Sequence, residues 1–351
     1  MSEPRLSICI ATLNRADFIG ATLDAILEQA CDELEIVVVD GASTDATESV
    51  VRARAARFPR LRYLRLEAKG GVDQDFCRAM EAARGEFCWL MADDDLVKPG
   101  GVAAVLAATR RGAGLIIVNA EVRNADLSEV IAARRLPFRE DRTYPPTQEG
   151  RHRLLAETGE YLSFIGGVVI RRAWWESRDR AAYLGTEFVH VGVIFQSPLP
   201  GSALVLAEPW IVIRYGNAQW TSRYFQIWAF KWPGLIWSLP GIPDAVRRRV
   251  SRPEPWRRPG ALLLYRARGV YSLAEYRKWI EPRPGSWWSR WMARAIARFP
   301  GRGANALALL YAQARRYRPL LIDLRDSPYY FPGVWARPAR PDPDPSRGRP
   351  A

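Results

Sequence analysis

Cysteine is scarce. Four occur in 351 residues (Cys9, Cys31, Cys77 and Cys88), with no Cys-x-x-Cys pair among them. That excludes a disulfide framework and a structural zinc site. Cys9 and Cys88 fall inside strand patterns, where a free thiol packs as a small hydrophobe. A long apolar leader is also missing. Met1 is followed by Ser2, Glu3, Pro4 and Arg5 and then a short strand-like run, so no secretory signal is expected. Carboxylates are scarce in one half only. From Arg214 onward 8 Asp and Glu stand against 26 Lys and Arg, whereas Met1–Ile213 holds 30 against 25. The net charge of +13 therefore resides in the back half. Such a half suits nucleic acid or an anionic membrane surface. Nucleic acid is disfavoured, because zinc-ligand spacing, an RNA-recognition signature and repeated aromatic platforms are all lacking and the front half is acidic.

What is present is an alternation of strand and helix. Leu6–Ala11 is a nearly all-apolar strand, followed by the loop Thr12-Leu13-Asn14-Arg15 and a helix over 17–29. Glu35–Asp40 is a second buried strand, and Gly41-Ala42-Ser43-Thr44-Asp45 turns into a helix capped by Thr44 or Asp45. Leu61–Leu66 is a third strand, and 73–83 a third helix. The run Phe87–Ala92 is a fourth strand that ends on Asp93-Asp94-Asp95 and then Pro99-Gly100. This order predicts a mainly parallel sheet with helices on both faces, whose ligands sit at the strand carboxyl ends. Thr12–Asn14, Asp40 and Asp93–Asp95 all fall at such ends. Three acids in a row repel unless something positive lies among them. A hard cation, magnesium or manganese, completed by water and substrate phosphates meets that need. A solvated acidic turn is the bland alternative for the Asp run, and a helix-leading turn residue for Asp40.

The segments Ser7–Arg15, Glu35–Thr47 and Gly85–Asp95 together resemble the family 2 glycosyltransferases. The resemblance is closest to the abequosyltransferase-like branch that builds O-antigen, through Gly71-Val72-Asp73-Gln74-Asp75-Phe76, Cys88-Trp89-Leu90 and Tyr183-Leu184-Gly185-Thr186 with His190. It covers about two-thirds of the chain. Ala11, Leu13 and Lys69 depart from the usual Pro, Tyr and Asn. The resemblance implies a GT-A fold, Rossmann-like, and a transfer from a nucleotide-diphosphate sugar to a hydroxyl with inversion. It implies that Ala11, Thr12, Asn14, Arg15, Asp40 and Ala42 bind the nucleotide. Asp93 would face nucleotide or sugar, and Asp94 or Asp95 the Mn2+ or Mg2+ ion. Asp73 is a weaker nucleotide-side candidate, and a helix-start residue on the alternative reading. A sugar-nucleotide pyrophosphorylase is the competing enzyme class. It would want a glycine-rich phosphate loop where Thr12-Leu13-Asn14-Arg15 stands.

An inverting transfer needs a base for the acceptor hydroxyl. By position in the family Glu187 would be that carboxylate, and His190, three residues on, shares its face if the segment is helical, so the resemblance implies that one of the two is the base and the other its orienter or a metal ligand. Without the resemblance His190 reads as a core histidine. Asn124–Gly150 reads as a long surface excursion of the kind that forms lids. Trp174-Trp175 reads as a sugar platform or as inward packing.

The expected organisation is a catalytic domain over 1–215, a helical, basic and aromatic region over 216–335, and a disordered tail over 336–351. The stretch Tyr224–Ile242 has only Lys231 charged and is broken by Pro233-Gly234 and Pro240-Gly241. Beside Arg247–Arg249 it suits an interfacial position on the inner face of the plasma membrane, as well as packing on the catalytic domain. A lipid-linked saccharide acceptor and a cytoplasmic, peripheral location follow as expectations.

Overall fold

Apolar runs without alternation build strands buried on both faces. Leu6–Thr12 (β1), Leu34–Asp40 (β2), Leu61–Arg65 (β3) and Phe87–Met91 (β4) form the parallel part of a ten-stranded sheet. The computed structural model describes residues 3–217 and 223–331. The expected tail over 336–351 lies outside them. β1 pairs with β2, Thr12 opposite Asp40, and on its other side with β4, Ile10 opposite Met91. Helices Ala16–Leu27 (α1), Thr47–Ala55 (α2) and Val72–Ala82 (α3) make the crossovers that parallel strands require. At the opposite edge the buried Glu35 accepts hydrogen bonds from Ser7 Oγ and from the N–H groups of Arg84 and Gly85. Gly85 is glycine for space: a Cβ there would lie 2.7 Å from the Ser7 nitrogen.

Next in the chain come Leu96–Val97 (β5), Gly101–Thr109 (α4), Leu115–Arg123 (β6), Val130–Ala132 (β7), Arg142–Tyr144 (β8) and Gln148–Thr158 (α5). Val168–Arg171 (β9), Arg172–Glu176 (α6), Val189–Phe195 (α7) and Ala203–Arg214 (β10) follow. The sheet order is β3-β2-β1-β4-β9-β6-β10-β5. β9 is antiparallel to both of its neighbours, and β10 runs parallel to β6 with a register shift between Leu206 and Ile211. Pro209, which has no N–H to give, lies inside that shift. The chain order reverses between β1 and β4, which makes their carboxyl ends the switch point of the sheet. The fold is thus the mixed α/β, mostly parallel arrangement with helices around it that the sequence predicts, followed by a helical C-terminal region.

The 124–150 excursion is pinned rather than loose. β7 pairs with β6, β8 pairs with β10, and Leu136, Phe138 and Tyr144 are buried. Asn119, fully buried on β6, holds it. Its Nδ2 donates to the Leu136 and Ala207 carbonyls, and its Oδ1 accepts from Leu136 N. Trp174 and Trp175 pack inward, each under 5 % exposed, so they offer no sugar platform.

Among the described residues, contacts divide the chain into two compact units, the first ending at Trp256 and the second beginning at Arg257. The composition shifts near residue 216, but 223–256 packs within the first unit. Ile227, Trp232, Leu235, Ile236 and Leu239 of the aromatic stretch join the core of the sheet domain. The Phe188 and Trp232 rings meet edge-on at 4.7 Å. In the second unit the helices Pro259–Ala267, Gly301–Ala314 and Arg318–Arg325 share a small core of Ala267, Ala304, Ala308, Leu309, Leu320 and Leu324. No helix among the described residues is long and apolar enough to cross a membrane.

Replacing Asn119 with Ala strips both anchors from the excursion and leaves buried carbonyls unpaired. A loss of about 3 kcal/mol is expected. Urea unfolding measures it, and limited proteolysis should show new cleavage within 124–147.

Candidate active site at the carboxyl edge of the sheet

The β1 and β4 ends meet through Arg15. Its Nε donates to Asp93 Oδ1 at 3.1 Å and its Nη2 to Asp94 Oδ2. The guanidinium lies over the Phe18 ring of α1, 4.7 Å from its centroid, and is itself almost wholly buried. Arg15 N–H donates to Thr47 Oγ1 on α2, which fixes the loop that carries it. Asn14 sits in the left-handed region, φ 53°, with its N–H on Ser43 Oγ and its Oδ1 receiving Thr44 N–H. Ala42 is left-handed too, φ 68°. The β1 and β2 loops are thereby clasped together.

The three acids behave differently. Burial raises the Asp93 carboxyl to about 6, with the Asp94 charge adding and Arg15 opposing. Burial also raises Asp94, against the pull of Arg15 and the Asn217 amide. Asn217 Nδ2 donates to Asp94 Oδ2 at 2.8 Å. Asp95 is pushed well up by burial and by Asp94. It faces β10, accepting Arg214 N–H at 2.9 Å, and is 3 % exposed. Asp93 and Asp94, and not Asp95, are therefore the acids that keep some exposure to solvent.

Arg15 pairs with Asp93 and Asp94, the Arg214 charge also favours the ionised Asp94, and Asp95 receives only the Arg214 backbone N–H. Among the described residues no group of three or more His, Cys, Asp or Glu could hold a metal ion. A protein cage is thus not built. The hard oxygen donors of Asp93 and Asp94 still fit a cation that draws its other ligands from phosphates and water.

Asp40 is fully buried, and both of its oxygens are engaged. Oδ1 accepts Ser43 N–H at 2.7 Å and Oδ2 the Tyr63 hydroxyl at 2.5 Å. Beside it lies Asp75 of α3. Burial raises its carboxyl to about 6, and its Oδ1 is buried without a hydrogen-bond partner. A Cβ on Gly41 would lie 2.9 Å from Asp75 Oδ2.

A second carboxylate system lies at the start of α7. Glu187 is left-handed, φ 71°, which is costly for a residue with a Cβ. Asp73 of α3 holds it there, accepting Glu187 N–H at 2.8 Å and Val189 N–H at 3.0 Å. Asp73 spends both oxygens on this backbone and is 5 % exposed, so it positions 187–189 rather than facing a nucleotide. Glu187 Oε1 meets Arg223 Nη1 at 2.5 Å and Lys231 Nζ at 2.7 Å. These two cations were not singled out as partners in the sequence reading. Lys231 carried a signal, being the only charge in an otherwise apolar, aromatic stretch.

His190 is not at the opening. It is 1 % exposed, and its Nε2 donates to the Leu162 carbonyl at 2.7 Å. Nδ1 is buried without a partner, and burial lowers the imidazole to about 4. This is the core histidine of the alternative reading: it lies at the start of α7, every residue of which is buried, whereas Glu187 precedes the helix in a left-handed turn.

Comparison with known proteins places these features in context. The model of the family described as Glycosyl transferase family 2 matches residues 7–173. Abequosyltransferase RfbV of Salmonella typhimurium strain LT2 is 25 % identical over 224 residues, 60 % of this chain and 67 % of that one. A PGL/p-HBAD biosynthesis glycosyltransferase of Mycobacterium bovis BCG is 36 % identical over 110 residues, 30 % of this chain and 42 % of that protein. Among solved structures, Staphylococcus aureus TarS 1–349 in complex with UDP-GlcNAc superposes with a TM-score of 0.53 at 15 % identity, covering 92 % of this chain and 89 % of that one. Mannosyltransferase PcManGT from Pyrobaculum calidifontis, with GDP-Man and Mn2+, gives 0.51 at 19 %, covering 94 % and 85 %. The likeness shows a shared GT-A fold.

His190 is neutral in the fold and has a lower pKa there than in the unfolded chain. Its contribution to stability is present above pH 6.5 and is lost as pH falls toward 4. Between pH 7 and pH 5 the stability gap between the wild type and His190→Gln should narrow by about 2 kcal/mol. Urea unfolding at the two pH values measures it, and a constant gap would place the imidazole in contact with water.

Proposed function

We propose that this chain, whose residues 7–173 match the glycosyl transferase family 2 model, transfers a hexose-type sugar from a nucleoside-diphosphate sugar to a hydroxyl of a saccharide acceptor, with inversion at the anomeric carbon. The observation that carries the reading is the meeting of Arg15, Asp93 and Asp94 at the switch point between β1 and β4. The complexes of related folds with UDP-GlcNAc and with GDP-Man support a nucleotide-sugar donor in that crevice.

Ala11, Thr12, Asn14, Arg15 and Ala42 line the nucleotide side, with Asp40 shaping the β2 turn from behind. Arg15 offers its guanidinium to diphosphate charge, and Asp93 faces the ribose or sugar. A divalent ion, when bound, neutralises the charge that develops on the leaving diphosphate. Asp94 would hold it, with Asp95 behind. Glu187 takes the proton from the acceptor hydroxyl. That oxygen bonds the anomeric carbon as the bond to the diphosphate oxygen breaks, and the nucleoside diphosphate leaves with the electron pair. Arg223 and Lys231 orient the carboxylate through Oε1, which leaves Oε2 for the proton. His190 supports α7 from the core.

Synthesis of a bacterial surface polysaccharide of O-antigen type is the setting, supported by the likeness to abequosyltransferase RfbV. The acceptor is a lipid-linked saccharide, and the chain makes peripheral contact with the inner face of the plasma membrane. The strongly basic C-terminal half supports both.

A panel of sugar nucleotides, each with and without manganese and with EDTA, should give nucleoside-diphosphate release for one donor. Release of nucleoside triphosphate from sugar nucleotide and pyrophosphate would instead mark a pyrophosphorylase. Asp94→Asn should lower turnover by at least about 100-fold while unfolding at the wild-type temperature. Unchanged turnover would remove Asp94 from the site. Glu187→Gln should cut kcat about 100- to 10,000-fold with little change in donor KM. A loss confined to donor KM would assign Glu187 to binding instead.

A further inference from the structure

Three tryptophans of the helix Trp287–Arg298 stand away from the core of the second unit. Trp287 is 71 % exposed, and Trp288 and Trp291 are each 52 % exposed. They contact one another. Trp288 and Trp291 stack at 5.0 Å with 17° between the rings, and Trp287 meets Trp288 edge-on at 5.6 Å. The buried positions of this helix are Ala293 and Ala297. Small side chains therefore face the protein while the largest apolar ones face out, the reverse of an ordinary surface helix. A clustered aromatic patch of this kind marks an interaction site.

Charge says which partner fits. Arg290, Arg294 and Arg298 are exposed on the same helix, and among the described residues none pairs with a carboxylate. Residues 257–331 hold 15 Lys and Arg against 4 Asp and Glu. The neighbouring helix Gly301–Ala314 also exposes Leu307 and Leu310 but carries no charge between Arg302 and Arg315. Indole rings settle at the headgroup level of a bilayer, with the ring apolar and the N–H wet. Arginines on such a helix keep their stems on apolar surface and their heads among phosphates. We propose that the tryptophan–arginine face of the helix Trp287–Arg298 docks on an anionic phospholipid bilayer. This deepens the peripheral contact of the reading above by naming its surface, and it does not rest on the sugar chemistry. It also moves that contact away from the aromatic stretch 224–242, which is packed into the core of the first unit.

The full chain is tested by flotation with phosphatidylglycerol-containing vesicles and with phosphatidylcholine vesicles, at low and high salt. The wild type should float with the anionic vesicles at low salt and be released as salt rises. Brominated lipid should quench part of its tryptophan fluorescence. The combined Trp287→Ser, Trp288→Ser and Trp291→Ser variant should float about tenfold less and lose that quenching. Arg290→Gln, Arg294→Gln and Arg298→Gln together should remove the salt-dependent part. Both should keep the wild-type unfolding temperature and nucleoside-diphosphate release. Wild-type flotation that the tryptophan changes leave intact overturns the assigned surface but keeps peripheral contact. A wild type that neither floats nor is quenched overturns both. Self-association lost with the tryptophans, without flotation, puts a second copy on this face and overturns the lipid. Failure of every donor to release nucleoside diphosphate sinks the transferase reading and leaves this inference standing.

Discussion

A single guanidinium from the end of one strand pairs with two carboxylates at the end of another, and the candidate site follows from that. Arg15 follows β1 and Asp93 and Asp94 follow β4, so their ion pairs span the point where the sheet order reverses. Charges that leave water this far are tolerated only when paired, and removing one partner leaves the other stranded. The crevice where the sheet topology favours a ligand is therefore also where the chain has concentrated charge of both signs. Phe18 beneath the guanidinium and Thr47 on the Arg15 backbone keep that charge in place.

The second carboxylate system depends on the first helix turn of α3. Asp73 receives the two N–H groups that lead into α7, and this offsets the cost of a left-handed Glu187. The segment after β10 then serves both systems. Asn217 touches Asp94 and Arg15, while Arg223 and Lys231 touch Glu187. One stretch of chain thus contacts the acids of the switch point and the acid at α7. Asp73, whose oxygens are spent on backbone N–H groups, still sets the geometry that Glu187 presents.

Legibility in the sequence followed the range of the interactions. The strands ending at Thr12, Asp40 and Met91 were readable, because a continuous apolar run closed by a polar residue needs only neighbouring positions to be recognised. The polar clusters at their carboxyl ends were readable for the same reason. Which acids of Asp93-Asp94-Asp95 keep some exposure was not, since backbone donation from Arg214 to Asp95 joins residues far apart in the chain. The loop expected to move is held by Asn119, a single buried amide that no local pattern marks. Glu187 and His190 share a face on helical spacing, yet Glu187 precedes the helix in a left-handed turn, and the two side chains part company.

The sequence by itself determined a mainly parallel α/β domain with acids at its strand ends, and a separate excess of positive charge in the back half. Periodicity and composition are local, and these features are local. Only the tertiary structure decided where the aromatic residues go. A stretch rich in Trp, Phe and Ile satisfies a protein core or a lipid surface with the same side chains. Burial sent 224–242 into the sheet domain, and left Trp287, Trp288 and Trp291 facing outward.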